Sequence, residues 1–353
     1  MDEDAVILTS YFRERHRVGA GPLGGALIDL YGRRSVTASV LLRGIEGYGP
    51  GRRAGAGGAL PLPADSPLTA VAVDSSRRID AMLEEVAAIA QPGLITLERA
   101  RLLSGEIEPL WLGESPSEAT RLTIYCGHAD SVYQVPAFEA ACELLYRREV
   151  AGATVLSGID GSMGGRRQRA QFFRHGADAP LMVVAVGSGQ RIALLLPELG
   201  GLFRHPLMTI ASVRLCKRDG QFVSRPETLP RDGAAESAGR TTQVKLTVYT
   251  SEATRVHGQP AHREIVRLLR SAGVSGANSQ RGTWGFHGRH APHGDHFPRH
   301  GRHVPVVTTI IDVAERIGVA FDVIDALTPS RGLVTVESVL VPEPAGIRTD
   351  HAS

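Results

Sequence analysis

Residues 151–164, AGATVLSGIDGSMG, join a short apolar run to two glycines three positions apart, Gly158 and Gly161. The run is β-like, and the glycines mark the point where it gives way to a polar loop. The same pair occurs in two other places, each time with the same upstream companions. Tyr11, Pro22, Gly44 and Gly47 recur 114 residues later as Tyr125, Pro136, Gly158 and Gly161. They recur after a further 124 residues as Tyr249, Pro260, Gly282 and Gly285. Four residue types held in register three times identify a tandem triplication, and the downstream halves follow it as LITLE (94–98), LMTIA (207–211) and LVTVE (333–337).

Each unit reads as strand, helix, strand, strand, helix, strand over about 95 to 100 residues. The first strands are Val6 to Phe12, Leu122 to Cys126 and Val244 to Thr250. Pro22, Pro136 and Pro260 then open a helix, where a missing N–H is tolerated, and Leu23, Leu27, Leu30 and Tyr31 fall at helical spacing. Ser75 or Ser76 caps the second helix of the first unit, and Gly273 is placed to end the first helix of the third. This order predicts an α+β chain of three tandem ferredoxin-like domains arranged as an intramolecular pseudo-trimer, each open sheet face packing on the other two. The expected boundaries are 1–105, 121–217 and 243–342, with linkers at 106–120 and 218–242 and a tail at 343–353.

Composition narrows the function classes. Thirty-nine basic against 37 acidic side chains, with no long Lys/Arg run, argue against nucleic acid as a partner. The longest apolar stretches are strand-sized, as at Leu181 to Val186, so no membrane span is expected. The start MDEDAVILTSYFRER is unlike a signal peptide, and Cys126, Cys142 and Cys216 form no metal or redox spacing, which together point to the cytoplasm. The triplication predicts a monomer, since the copies satisfy one another.

At these residues the chain resembles the domain of unknown function 190 (DUF 190) family, a branch of the PII-like signalling superfamily. The resemblance rests on Leu122 to Tyr125, on AGATVLSGIDGSMG, on LLPEL at 195–199 and on LITLE, and it covers all three units. It implies a regulator that takes adenine nucleotides or small anions in clefts between units. It also implies that the long loop after the second strand touches a partner, such as a membrane transporter or channel.

The glycine signatures RGIEGYG (43–49), SGIDGSMGG (157–165) and RGTWGFHG (281–288) are the candidate ligand sites. Glycine lets an anion approach main-chain N–H groups, and an adjacent arginine adds a charged contact. Each signature has such an arginine, at Arg52 and Arg53, at Arg166 and Arg167, and at Arg289. The resemblance adds the turn before the last strand, here Gly93 in the first unit and Arg331 with Gly332 in the third; the second has His205 and Pro206 instead. The candidate set is thus Gly44, Gly47, Arg52, Gly93, Gly158, Gly161, Arg166, Gly282, Gly285, Arg289, Arg331 and Gly332. The same glycines also suit a strand-to-loop bend, and the sequence leaves both roles open.

Two other signals compete. Gly19-Ala-Gly21-Pro-Leu-Gly24 fits the dinucleotide pattern, but the other two units lack it and the spacing also suits a turn before a helix. The third loop carries His287, His290, His293, His296, His300 and His303, a density that suits Zn or Cu in the manner of the CutA cation-tolerance family. Gly288, Pro292, Gly294 and Pro298 oppose a helix there, and a solvated loop is the plainer reading. No nucleophile elbow, Walker lysine or Cys/His arrangement supports an enzyme, and no cofactor is required. The reading is a PII-like regulator that binds a small anion, with the metal-binding protein as the alternative.

Overall fold

The structure is a computed structural model; it describes residues 2–49, 65–91, 93–110, 112, 115, 117–169, 180–226, 239–288, 290–294, 304–329 and 332–343. The first repeat contributes β1 (Asp2–Arg13), α1 (Leu23–Arg33), β2 (Ala38–Arg43), β3 (Pro67–Ser75), α2 (Ser76–Ala90) and β4 (Leu94–Ser104). The second contributes β5 (Glu118–Gly127), α3 (Ala137–Arg147), β6 (Gly152–Met163), β7 (Pro180–Gly187), α4 (Gly189–Gly200) and β8 (Leu207–Arg218). The third contributes β9 (Arg240–Ser251), α5 (Ala261–Ser271), β10 (Ala277–Arg281), β11 (Pro305–Asp312), α6 (Ala314–Leu327) and β12 (Leu333–Pro342). Among the described residues no helix is long and apolar enough to cross a membrane.

The three prolines stand at the N-caps of α1, α3 and α5 with φ of −70°, −52° and −56°, the range their rings impose. A two-residue hairpin delivers the chain to each proline, Arg17–Val18 against Gly21–Pro22 in the first repeat. The glycine-rich segment at 19–24 is therefore a turn, with Gly19 at φ +57°, followed by the first residues of α1.

Within each repeat the strands run antiparallel in the order second, third, first, fourth. Pairing does not stop there. β2 continues onto β6, β4 onto β8, β8 onto β12, and β12 touches β4 at Leu340 opposite Leu97. Following the ladder β1, β3, β2, β6, β7, β5, β8, β12, β4 and back to β1 closes a barrel of nine strands. This corrects the expectation of three ferredoxin-like domains arranged as a pseudo-trimer. The chain is instead one mostly antiparallel sheet with a closed barrel and, among the described residues, six short helices. The physical reason lies at the edges. A second or fourth strand left at the margin of its own repeat would expose a row of unpaired N–H and C=O groups, and pairing it with the next repeat removes that row. Apolar periodicity reports which faces are buried and is silent on edges.

The glycines make this pairing possible. A β-carbon on Gly161 would lie 2.2 Å from the Ser39 carbonyl oxygen, and one on Gly285 would lie 2.2 Å from that of Ala153. Gly47 stands in the same way 2.7 Å from the Ala277 oxygen. Ser39, Ala153 and Ala277 are themselves the same position of successive repeats. Each repeat thus lays its second glycine on the second strand of another.

Four apolar cores result. Three lie under the helix pairs, as with Leu8, Leu27, Ile79 and Met82 in the first repeat. The fourth lies between repeats and joins Ile7, Val40, Val71, Tyr125, Val184 and Tyr249. Buried on both sides, β7 has no exposed position from Pro180 to Gly187. The segment between the first two repeats is docked too, with Ile107, Leu110 and Leu112 against the second core.

His262, in the first turn of α5, is buried, and its Nδ1 has no hydrogen-bond partner among the described residues. Burial and then Arg263 hold its imidazole down at about 4, against an ordinary 6.5. The depressed value means that the unfolded chain binds this proton first, so stability is full above pH 6.5 and falls as pH drops toward 4. Denaturation at pH 4.5 and 7 should show a loss of about 2.5 kcal/mol on acidification that His262→Gln removes. An equal loss in both proteins would show that His262 does not contribute.

Candidate functional site

The first and third repeats meet around a cleft of about 530 Å³. Its first wall is the end of β1 with the following turn, which brings Arg13, Arg15 and His16, together with Tyr48 and Gly49 of the loop base and Gly93 before β4. Its second wall is Ser275 to Asn278 at the start of β10 and Thr309, Ile311 and Asp312 at the end of β11. Arg13 ties the first wall together. It donates through Nη2 to the Gly47 carbonyl at 2.8 Å and through Nη1 to the Asp65 carbonyl at 3.0 Å. Arg15 is exposed and lies 3.5 Å from the Asp65 carboxylate. The Arg13 backbone N–H donates to His16 Nδ1 at 3.3 Å, and burial, then Arg15, lower the His16 pKa.

Two buried polar atoms of this cleft lack a hydrogen-bond partner among the described residues, the Tyr48 hydroxyl and Asn278 Oδ1. Burial, then the nearby Asp312, push the Tyr48 phenol well above its ordinary range. The Tyr48 ring also carries the Arg270 guanidinium 6.0 Å from its centroid. Asn278 donates through Nδ2 to Thr69 at 2.7 Å. Asp312 is already engaged, accepting from the Ser275 and Val313 amides at 2.7 and 2.9 Å.

The corresponding seams differ in charge. Where the first repeat has Arg13, Arg15 and His16, the second has Gly127, Ala129 and Asp130, and the third has Ser251, Ala253 and Thr254. Asp130 turns back to accept from the Gly127 amide at 2.8 Å. At the seam of the first two repeats Arg167 is held by Asp160 at 2.5 Å and by Asp29.

Of the residues singled out in the sequence, Gly93 lines the cleft, Gly47 has its carbonyl held by Arg13, and Gly44 packs against Asn278. Gly158 and Gly161 lie over Val40 and Ser39, and Gly282 and Gly285 over Thr154 and Ala153. Several N–H groups of these signatures are spent on the chain itself: Gly44 donates to Pro67, Ile45 to Ser279, Gly282 to Pro305 and Thr283 to Val155, all at 2.8 to 2.9 Å. Arg166 is exposed on a hairpin turned by Gly164 and Gly165. Gly332, at φ +113°, accepts from the Asp219 amide. Arg52, Arg53, Arg289, Arg331, His296, His300 and His303 lie outside the described residues. His287 and His290 place their rings 5.9 Å apart, and His293 bonds the Ala291 carbonyl through Nδ1. Among the described residues no cluster of three metal-binding side chains forms.

Sequence reasoning missed Arg13, Arg15, His16, Tyr48 and Asn278, because a search for positions shared by three copies passes over side chains present in one. It missed a second feature because its charges stand in only two of the three copies. Ile7, Arg121 and Lys245 are one position of the three repeats, and Glu98, Ala211 and Glu337 another. In the barrel interior the charged members meet: Glu98 accepts from Arg121 at 2.7 Å and Lys245 at 2.8 Å, and Glu337 lies 3.1 and 3.3 Å from the same two cations. Burial opposes the charge on Glu98, but Lys245 and Arg121 outweigh it and hold the carboxyl at about 2. Beside this cluster a chamber of about 80 Å³ is lined by Tyr11, Tyr125 and Tyr249, whose phenols burial raises well above their ordinary range.

Compared with known protein families, the chain matches DUF190, described as Uncharacterized ACR, at residues 5–102, 119–215 and 243–341. The three matches coincide with the repeats read from Tyr, Pro and Gly, and together they take in most of the chain. The protein therefore belongs to the DUF190 family, which it carries as three tandem copies.

Proposed function

We propose that this chain is a PII-like regulator that binds a small anionic ligand, an adenine nucleotide by preference, in the cleft between its first and third repeats. The observation that carries the reading is the pairing of two cations, Arg13 and Arg15, at that one seam, where the equivalent positions of the other repeats hold none. A volume of about 530 Å³ suits a ligand of this size. Arg15 supplies the charged contact to phosphate, Tyr48 offers a ring face to a base, and the unpartnered Tyr48 hydroxyl and Asn278 Oδ1 offer polar contacts. Arg13 has the connecting role. Through Gly47 it ties the cleft wall to the base of the loop that follows Tyr48, so occupancy can be passed to a partner such as a transporter or channel.

Calorimetry with ATP, ADP, AMP, cyclic AMP and bicarbonate should find one site per chain, filled by a nucleotide. Arg15→Ala should weaken it roughly tenfold, the loss expected for one charge-assisted hydrogen bond. Absence of binding by every one of these at millimolar concentration, or equal affinity of Arg15→Ala and the unaltered chain, would overturn the proposal.

A further inference from the structure

A second cavity, of about 570 Å³, lies at one end of the barrel interior and shares no lining residue with the cleft between the first and third repeats. Its floor is the ionic cluster, reached through Glu98 and Glu337. Leu112 and Leu340, both partly buried, give it apolar walls together with Ala100, Ala119 and Ala211, and exposed Arg99, Glu118 and Ser212 mark its open side. We propose that this cavity binds an α-amino acid with an apolar side chain.

Three observations support that class of ligand. The first is an unsatisfied acceptor in the floor. Glu98 is 2% exposed, its Oε2 takes both Arg121 and Lys245, and its Oε1 has no hydrogen-bond partner among the described residues. Buried carboxylate oxygens are rarely left so, and a ligand ammonium supplies the missing donor. The Thr242 hydroxyl, in the wall of the same cavity, is buried and equally without a partner among the described residues. The second is charge of both signs. Asp4, Glu118, Glu98 and Glu337 face Arg99, Arg101 and Arg214, so neither a simple anion nor a simple cation is selected, whereas a dipolar molecule is. Its carboxylate adds a contact to guanidinium groups that each carry five donors. The third is the apolar wall between floor and rim, which buries a side chain of leucine size and gives affinity that glycine would lack.

The test is calorimetry on the full chain with L-leucine, L-leucinamide and 4-methylpentanoate, the last two lacking one of the charges. Leucine should bind, and each single-charge analogue should bind at least about tenfold more weakly. Glu98→Gln is the direct variant but disturbs the ionic cluster, so Thr242→Val and Ser212→Trp accompany it; the first should weaken leucine about tenfold, and the second should block the open side and abolish binding. Both should melt as the unaltered protein does, and Arg15→Ala should leave leucine affinity unchanged. No heat from leucine at 10 mM (on the order of the weakest metabolite affinities), equal binding by an analogue with one charge, or full affinity in Ser212→Trp would each overturn the assignment.

Discussion

Glu98→Ala should cost this chain about 3 to 5 kcal/mol, read as a shift in the denaturant midpoint at pH 7, because the residue is buried in an ionic cluster. Two cations converge on one Glu98 oxygen at 2.7 and 2.8 Å, and only Glu337, at 3.1 and 3.3 Å, remains to balance them when it is removed. A charge left unbalanced inside a protein costs more than the pair it came from was worth. The repeats themselves indicate the rescue. Ile7 occupies the position of Lys245 and Ala211 that of Glu98, so this layer of the barrel accepts apolar side chains. Glu98→Ala combined with Lys245→Ile should therefore recover more than half of the loss, with Arg121 and Glu337 kept as a pair. The pH dependence has a definite sign. Glu98 is held at about 2 by Lys245 and Arg121 despite burial, so its contribution is complete above the ordinary carboxyl pKa of 4.5 and fades as pH falls through 2. The difference between Glu98→Ala and the unaltered protein should shrink across that window. A cost under about 1 kcal/mol at pH 7, or a double variant no better than the single one, would show that the cluster is not the constraint its geometry implies.

What could be read from residues alone divides along physical lines. Tyr11, Pro22, Gly44 and Gly47, with their two sets of counterparts, were legible because backbone geometry demands the same residue type each time: a proline where a hairpin enters a helix, a glycine where two strands almost touch. Element order was legible for the same reason. The closed barrel was not, because edge pairing is made by main-chain groups that every residue has. Nor was the ionic cluster. Its members occupy matched positions, yet Ile7 breaks the charge that Arg121 and Lys245 share, and only the fold shows that Glu98 and Glu337 converge on those two cations. The polar residues of the first cleft were hidden similarly, since Arg13, Arg15 and His16 mark the one repeat that differs.

The glycines left two roles open, and one substitution separates them. Gly161→Ala places a β-carbon 2.2 Å from the Ser39 oxygen and 2.7 Å from the Pro180 ring, with backbone on one side that cannot swing away. β6 must then back off from β2. That opens a ladder in which Ser162 pairs with Ser39, its N–H donating to Ser39 Oγ at 3.1 Å and the two hydroxyls lying 2.8 Å apart. Two sheet edges are exposed at once, so the expected loss is about 3 kcal/mol or more, with aggregation on heating as the newly unpaired strands find partners. Gly49→Ala is the control, since nothing lies within 4 Å of its β-carbon, and it should melt within about 2 °C of the unaltered chain. Size exclusion and thermal melting by circular dichroism decide between the roles. If the second glycine of each repeat exists for strand contact, Gly161→Ala and Gly285→Ala destabilise alike, the latter further strained at φ +141°. A fully stable Gly161→Ala with weakened nucleotide binding would instead return these glycines to the ligand, and the reading of the barrel seam would fail.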